Sequence, residues 1–122
     1  MKFGVMLPHF KDGVASTAFI RRMAIEADEL GYDSLWAVDH IVMPHPSQWY
    51  DKYGGMFYET FTTLGFVASI TKQIRLGTSV VVVPYRHPLL LAKLYSTLDQ
   101  LSGGRVIAGI GIGSFAMEYE SL

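Results

Sequence analysis

The chain has 122 residues, of which 50% are hydrophobic, 13% aromatic and 17% charged. This composition is typical of a globular domain and excludes disordered and low-complexity proteins. Ten Lys and Arg residues against eleven Asp and Glu residues leave a formal net charge of −1, and no segment gathers its basic residues, so nucleic acid is not an expected partner. The chain has no cysteine, which excludes disulfides, thiolate metal sites and thiol nucleophiles.

The N-terminal segment gives no sign of export or of a membrane anchor. The run MKFGVMLPHF contains one lysine and an apolar stretch that Pro8 interrupts, which is too short for the core of a signal peptide. No apolar stretch approaches the roughly 18 residues that span a bilayer. We therefore expect a soluble, cytoplasmic protein without a membrane partner.

Four short runs of apolar residues predict buried strands. They span Lys2–Leu7, Ser34–Val38, Ile74–Val83 and Arg105–Ile110. Their apolar character is nearly continuous rather than alternating, as in strands that are covered on both faces of a parallel sheet.

Three amphipathic patterns between these runs predict helices. Their apolar stripes are Phe19, Met23, Ala27 and Leu30, then Phe57, Phe61, Leu64 and Ala68, and finally Leu91, Leu94, Leu98 and Leu101. Gly31 is expected to end the first helix and Gly103 the third, which has Pro88 in its first turn. A fourth helix is expected to begin near Ser114, whose hydroxyl would cap it.

Strands and helices alternate along the whole chain, which predicts an α/β fold with a parallel sheet and right-handed crossovers. We expect one domain over residues 1–122, with the four strands in the sequential order 1-2-3-4. The connection after the second strand carries an insertion, Met43 to Phe57. It lies at the strand end where parallel folds place their chemistry, so it forms either a pocket wall or a surface loop.

Each predicted strand ends in polar or glycine-rich residues, and parallel strands bring these ends to one face. The second strand ends in Asp39 and His40, a carboxylate beside an imidazole that can exchange a proton near neutral pH. A metal site is the competing interpretation of the four histidines, His9, His40, His45 and His87. They share no ligand spacing and no acidic cluster accompanies them, so we predict no metal.

The fourth strand runs into a glycine-rich turn, Gly109 to Ser114, ahead of a helix N-terminus. Exposed backbone N–H groups there favour an anion such as a cofactor phosphate. Gly111 to Ala116 also satisfies the loose G-x-G-x-x-A dinucleotide fingerprint, so a Rossmann-type nucleotide-binding module stays open as an alternative.

Taken together and in order, five segments resemble the bacterial luciferase-like flavin and deazaflavin oxidoreductase superfamily. They are Phe3 to Pro8, Ala27 to His40 (ADELGYDSLWAVDH), Ile74 to Val80 (IRLGTSV), Arg86 to Arg105, and Gly109 to Glu120. The resemblance implies a TIM-type (βα)8 barrel that binds FMN or coenzyme F-420 at its C-terminal face and acts on a small-molecule substrate. It covers four of the eight βα units, the first half of such a barrel.

The resemblance also implies roles for individual residues. His40 resembles the histidine that serves as active-site base or hydrogen-bonding group, and Asp39 the neighbour that lines the cofactor pocket. Ser79 and Val80 resemble the position of a non-prolyl cis peptide that lies against the ring system. The tail of the cofactor would lie near three further residues, Gly111, Ile112 and Gly113.

One position departs from part of the superfamily. Ser114 stands where some deazaflavin-dependent sugar-phosphate dehydrogenases carry an acid, so their substrate is not transferred to this chain. A half-barrel also leaves strand edges and apolar interior uncovered, and we therefore expect a homo-oligomer. A catalytically inactive, self-associating half-barrel stays open as a second alternative.

Overall fold

The computed structural model describes residues 1–11 and 14–122. The strands in this part of the chain are β1 (Gly4–Met6), β2 (Ser34–Ala37), β3 (Arg75–Thr78), β4 (Val81–Val82), β5 (Val106–Ile107) and β6 (Ile110–Gly111). The helices are α1 (Thr17–Glu29), α2 (Gln48–Tyr53), α3 (Thr60–Ile70), α4 (Pro88–Ser102) and α5 (Ala116–Ser121), with a 3-10 turn at Val83–Tyr85.

The main sheet has the order β1-β2-β3-β5, and all its pairs are parallel. The predicted sequential order of the four units is therefore confirmed. The order does not reverse at a switch point, so it argues against the doubly wound alternative. β4 and β6 form a second parallel pair that extends the sheet toward its carboxyl edge.

The core lies between the sheet and the three long helices. Leu35, Ala37 and Leu76 point from the sheet into this layer and are completely buried. They pack against the buried faces of α1, α3 and α4. The other face of the sheet stays open, and Met6 there is 41% exposed.

The ends of α1 and α4 follow the sequence prediction. Ser16 caps α1 by accepting the N–H of Phe19 at 3.2 Å. Gly31 and Gly103 follow the two helices with φ values of 78° and 72°. This left-handed conformation costs glycine little, so both residues end their helices as expected.

Two predicted strands are each interrupted, which corrects the continuous runs Ile74–Val83 and Arg105–Ile110. The first breaks after Thr78 into β3 and β4, and the second breaks between β5 and β6 at Gly109. The Thr78 hydroxyl donates to the Gly109 carbonyl oxygen at 2.8 Å and accepts the Gly109 N–H at 3.0 Å. This side chain thus replaces the sheet ladder at the point where both strands bend.

Two helix predictions are also corrected. α3 begins at Thr60 rather than at Phe57, because the Glu59 carboxylate caps the helix by accepting the Thr62 N–H at 2.6 Å. Phe57 instead forms an antiparallel bridge with Phe10. Ser114 does not cap the last helix, since α5 starts at Ala116 with no side-chain cap.

Candidate functional site

A cavity of about 230 Å³ opens at the carboxyl ends of the strands. Five predicted site residues, Asp39, His40, Ser79, Val80 and Gly113, line it. The structure therefore brings together residues that are separated by more than seventy positions along the chain. Gly111 and Ile112 lie just outside, on the strand and turn that lead to Gly113.

His40 is held by a buried carboxylate that the sequence prediction had not singled out. Its Nδ1 lies 3.1 Å from Oε2 of Glu118, a side chain in α5 that is only 1% exposed. The other oxygen, Oε1, accepts the N–H groups of Ile41 at 2.9 Å and Val42 at 3.4 Å. A carboxylate can only accept, so Nδ1 carries the proton and Nε2 presents its lone pair when the ring is neutral.

Tyr85 places a hydroxyl beside the same carboxylate. It lines the cavity, and its buried oxygen has no hydrogen-bond partner among the described residues. Burial, reinforced by the neighbouring Glu118, raises the pKa of Tyr85 above its ordinary value. The phenol therefore keeps its proton at neutral pH and can donate a hydrogen bond either to the Glu118 carboxylate or to a guest in the cavity.

Asp39 forms a buried ion pair with Arg86. The two guanidinium nitrogens lie 2.7 and 2.8 Å from the carboxylate oxygens, and the side chains are 1% and 8% exposed respectively. Asp39 also accepts the Val82 N–H at 2.9 Å and the Thr60 hydroxyl at 3.1 Å. These four bonds tie the end of β2 to β4 and α3, so the geometry favours a positioning role. Direct contact of Asp39 with a cofactor stays a prediction.

The backbone beside the cavity contains the cis peptide bond that the resemblance predicts, between Ser79 and Val80. Val80 is 42% exposed and Ile112 is 79% exposed, so both present apolar surface. A Cβ atom at Gly111 would lie 2.7 Å from Cγ2 of Val80, which shows how closely the backbone of β6 approaches the Val80 side chain.

The four histidines do not share one site. His9 is fully buried, with its ring nitrogens 3.0 Å from the carbonyl oxygens of Leu7 and Val38. His45 packs edge-on against Tyr50, and His87 caps α4 through the Leu89 N–H. Within residues 1–11 and 14–122, the structure contains no group of three His, Asp or Glu side chains able to hold a metal ion.

The insertion Met43–Phe57 borders a cavity that adjoins the first one. It contains α2, from which Trp49 and Tyr53 line a second cavity of about 220 Å³. His40 and Phe115 line both this cavity and the first one. The insertion therefore lines the cavity beside His40 and not the one that Ser79 and Val80 border, and its role as the wall of a binding pocket stays a prediction.

The sequence prediction missed three residues of the site, Glu118, Arg86 and Tyr85. An acidic residue in the first turn of a helix is a common stabilising feature, so Glu118 gave no separate signal. Arg86 begins the segment Arg86 to Arg105, which carries part of the resemblance, but neither Arg86 nor Tyr85 was assigned a role in the site.

The whole chain, residues 1–122, matches the family model described as luciferase-like monooxygenase. It is 36% identical over 95 residues to 4-hydroxyprotoasukamycin monooxygenase from Streptomyces nodosus subsp. asukaensis, covering 78% of this chain and 23% of that protein. It is also 36% identical over 91 residues to F420-dependent glucose-6-phosphate dehydrogenase from Amycolatopsis mediterranei, covering 74% and 26%. The chain thus spans about a quarter of the length of these relatives.

Solved structures give the same result. The fold superposes on monooxygenase RslO1 from Streptomyces bottropensis with a TM-score of 0.77 and 30% identity, covering 99% of this chain and 36% of that one. None of the helices in the described residues is long and apolar enough to cross a membrane. With its α/β fold of parallel strands and a family match over its full length, the chain belongs to the luciferase-like monooxygenase family.

Proposed function

We propose that this chain is the N-terminal part of a flavin- or deazaflavin-dependent oxidoreductase that acts on a small organic substrate in the cytoplasm. The observation that carries the proposal is the convergence of His40, Ser79, Val80 and Gly113 on one cavity. FMN or coenzyme F-420, when bound, would supply the hydride transfer or oxygen activation that amino-acid side chains cannot provide.

The residues present fit a flat, partly polar ring system. Val80 and Ile112 offer exposed apolar surface against which a ring can pack. The buried Tyr85 hydroxyl lacks a partner among the described residues and can donate to a ring oxygen or nitrogen. We assign Gly111, Ile112 and Gly113 to the part of the site near the cofactor tail, where close backbone approach leaves N–H groups accessible.

We assign His40 the role of proton-handling group. Glu118 fixes the proton on Nδ1, so Nε2 is available to accept a proton from a substrate or to return one. Glu118 is a positioning residue in this account, because it acts through His40. Asp39 and Arg86 position His40 indirectly, by fixing the end of β2 against β4.

Visible absorption titrations of the chain with FMN and with coenzyme F-420 test this proposal. We expect one of the two cofactors to bind with a shift of its visible absorption band, because its ring moves from water to the apolar surface of Val80 and Ile112. Val80→Asp should weaken that binding at least about tenfold, since a charge would then face the ring. The loss of about tenfold corresponds to about 1.4 kcal/mol.

Leu101→Asp is the matched control, because Leu101 is a 77% exposed apolar residue at the end of α4, away from the cavity. It introduces the same charge and should leave cofactor binding unchanged. The proposal is contradicted if neither cofactor binds. It is also contradicted if Val80→Asp binds the cofactor as tightly as Leu101→Asp and the unmodified chain do.

A further inference from the structure

The second cavity is enclosed by a closed circle of six rings, which we call the aromatic collar. Neighbouring rings around the collar have centroids 4.9 to 6.0 Å apart. In order around the circle, the collar consists of Phe10, Phe57, His40, Phe115, Trp49 and Tyr53. Aromatic pairs at these distances attract one another, so each ring of the collar is held by its two neighbours.

We propose that the aromatic collar binds the substrate, and that this substrate is a neutral molecule carrying one aromatic ring. The inference rests on the proposed function, since it places the substrate across His40 from the cofactor. Val38, His40 and Phe115 line both cavities. A guest in the collar would therefore lie within reach of the same imidazole that borders the cofactor cavity.

The size of the cavity sets the size of the guest. Its volume is about 220 Å³, whereas an apolar protein cavity of about 150 Å³ holds benzene. The collar therefore has room for one aromatic ring and a few further non-hydrogen atoms. A third cavity, of about 290 Å³, lies on the other side of Trp49 and Phe115 and offers space for a longer substituent of the guest.

The charges around the collar favour a neutral guest over an anion. The only ionisable groups that line this cavity in the described residues are His40 and Tyr53. The Glu118 carboxylate lies 3.1 Å behind the imidazole of His40. An anion would meet this negative charge in an apolar surrounding, and neither a Lys nor an Arg of the described residues lines the cavity to compensate it.

A different charge, that of Lys52, disfavours a cation, although aromatic rings alone can bind one. Nζ of Lys52 lies 4.8 Å from the ring centroid of Tyr53 and 5.7 Å from that of Trp49. A positive charge therefore already occupies the neighbourhood of two collar rings. A second cation inside the collar would be repelled by it.

Three probes of similar shape and different charge test the proposal: benzyl alcohol, benzoate and benzylamine. In ligand-observed NMR titrations of the chain at pH 7.5, benzyl alcohol should bind at least about tenfold more tightly than either charged probe. Trp49→Ala should weaken benzyl alcohol binding at least about tenfold. Trp49→Leu, which keeps an apolar side chain, should weaken it about threefold or more. Tyr32→Ala, an exposed aromatic outside the collar, should change nothing.

The proposal is overturned if benzoate or benzylamine binds as tightly as benzyl alcohol, or if the Trp49 variants bind benzyl alcohol as the unmodified chain does. A parallel titration of each variant with FMN and coenzyme F-420 separates this result from the proposed function. Charge-independent probe binding with intact cofactor binding overturns the collar alone. Probe binding as expected, with no binding of either cofactor, overturns the proposed function and with it the assignment of the collar guest as substrate.

Discussion

Removal of the Arg86 guanidinium should strongly destabilise the fold. In Arg86→Met, Asp39 keeps its charge in a place where only 1% of its side chain is exposed. The charge would lose two bonds of 2.7 and 2.8 Å and retain only those from the Val82 N–H and the Thr60 hydroxyl. Breaking a buried ion pair from one side costs about 3–5 kcal/mol.

Urea unfolding followed by circular dichroism measures this loss. With an m-value of about 1.5 kcal/mol per M, a loss of about 3 kcal/mol lowers the midpoint by about 2 M. The double variant Asp39→Asn with Arg86→Met should recover about 2 kcal/mol of the loss, because neither charge then remains buried without its partner. Arg22→Met is the control, since Arg22 pairs with Glu26 on the surface and its loss should cost less than about 1 kcal/mol.

This reasoning is refuted if Arg86→Met costs less than about 1 kcal/mol. It is also refuted if the double variant is no more stable than Arg86→Met. Either result would mean that Asp39 does not depend on Arg86 and that its carboxylate is available for another partner, such as a cofactor.

Three further predictions address other parts of the molecule. Burial alone would raise the pKa of Asp28, but three backbone N–H bonds from residues 72–74 and the charge of Arg105 lower it below 3.8. Asp28→Ala should therefore lower the free energy of unfolding by about 2 kcal/mol at pH 7. Because the Asp28 carboxylate becomes protonated in acid, this loss relative to the unmodified chain should shrink as the pH falls below about 4. A loss of stability that does not depend on pH would contradict this prediction. Gly109→Ala should destabilise the fold by more than about 2 kcal/mol, because the added Cβ would overlap the carbonyl oxygen of Thr78. Gly65→Ala in α3 is the matched control, since its Cβ meets no atom and the change should stabilise the fold by up to about 1 kcal/mol. Equal unfolding midpoints for the two variants would contradict this explanation of the strand break. Static light scattering should show self-association, since Ile110 and Ile112 are 61% and 79% exposed on an open sheet; a stable monomer at high concentration would contradict it.

The sequence predicted the order of the sheet because apolar runs and amphipathic stripes indicate parallel βα units, and because the resemblance implies the sequential strand order of a barrel. Leu35, Leu76 and Leu98 lie in the core as those patterns indicate. The breaks within the third and fourth strands could not be predicted in the same way. They depend on the Thr78 hydroxyl, which bonds to Gly109 from a position 31 residues earlier in the chain, and no local pattern encodes such a pair.

The candidate site shows the same division between local and long-range information. His40 and the Gly109–Ser114 turn stood out because strand ends and glycine clusters are local features. Glu118 is bonded to His40 from 78 positions further along the chain, and Arg86 reaches Asp39 across 47 positions. The collar was equally hidden, since its six rings are spread between positions 10 and 115 of the chain.

The proposed function requires the cavity bordered by His40, Val80 and Gly113 to hold the cofactor ring. A crystal structure of the chain with FMN or coenzyme F-420 bound tests it most directly. We expect electron density for the ring system against Ser79 and Val80, with His40 at its edge and the Tyr85 hydroxyl donating to it. Density for the ring inside the aromatic collar, or elsewhere on the surface, would show that this cavity is not the cofactor site.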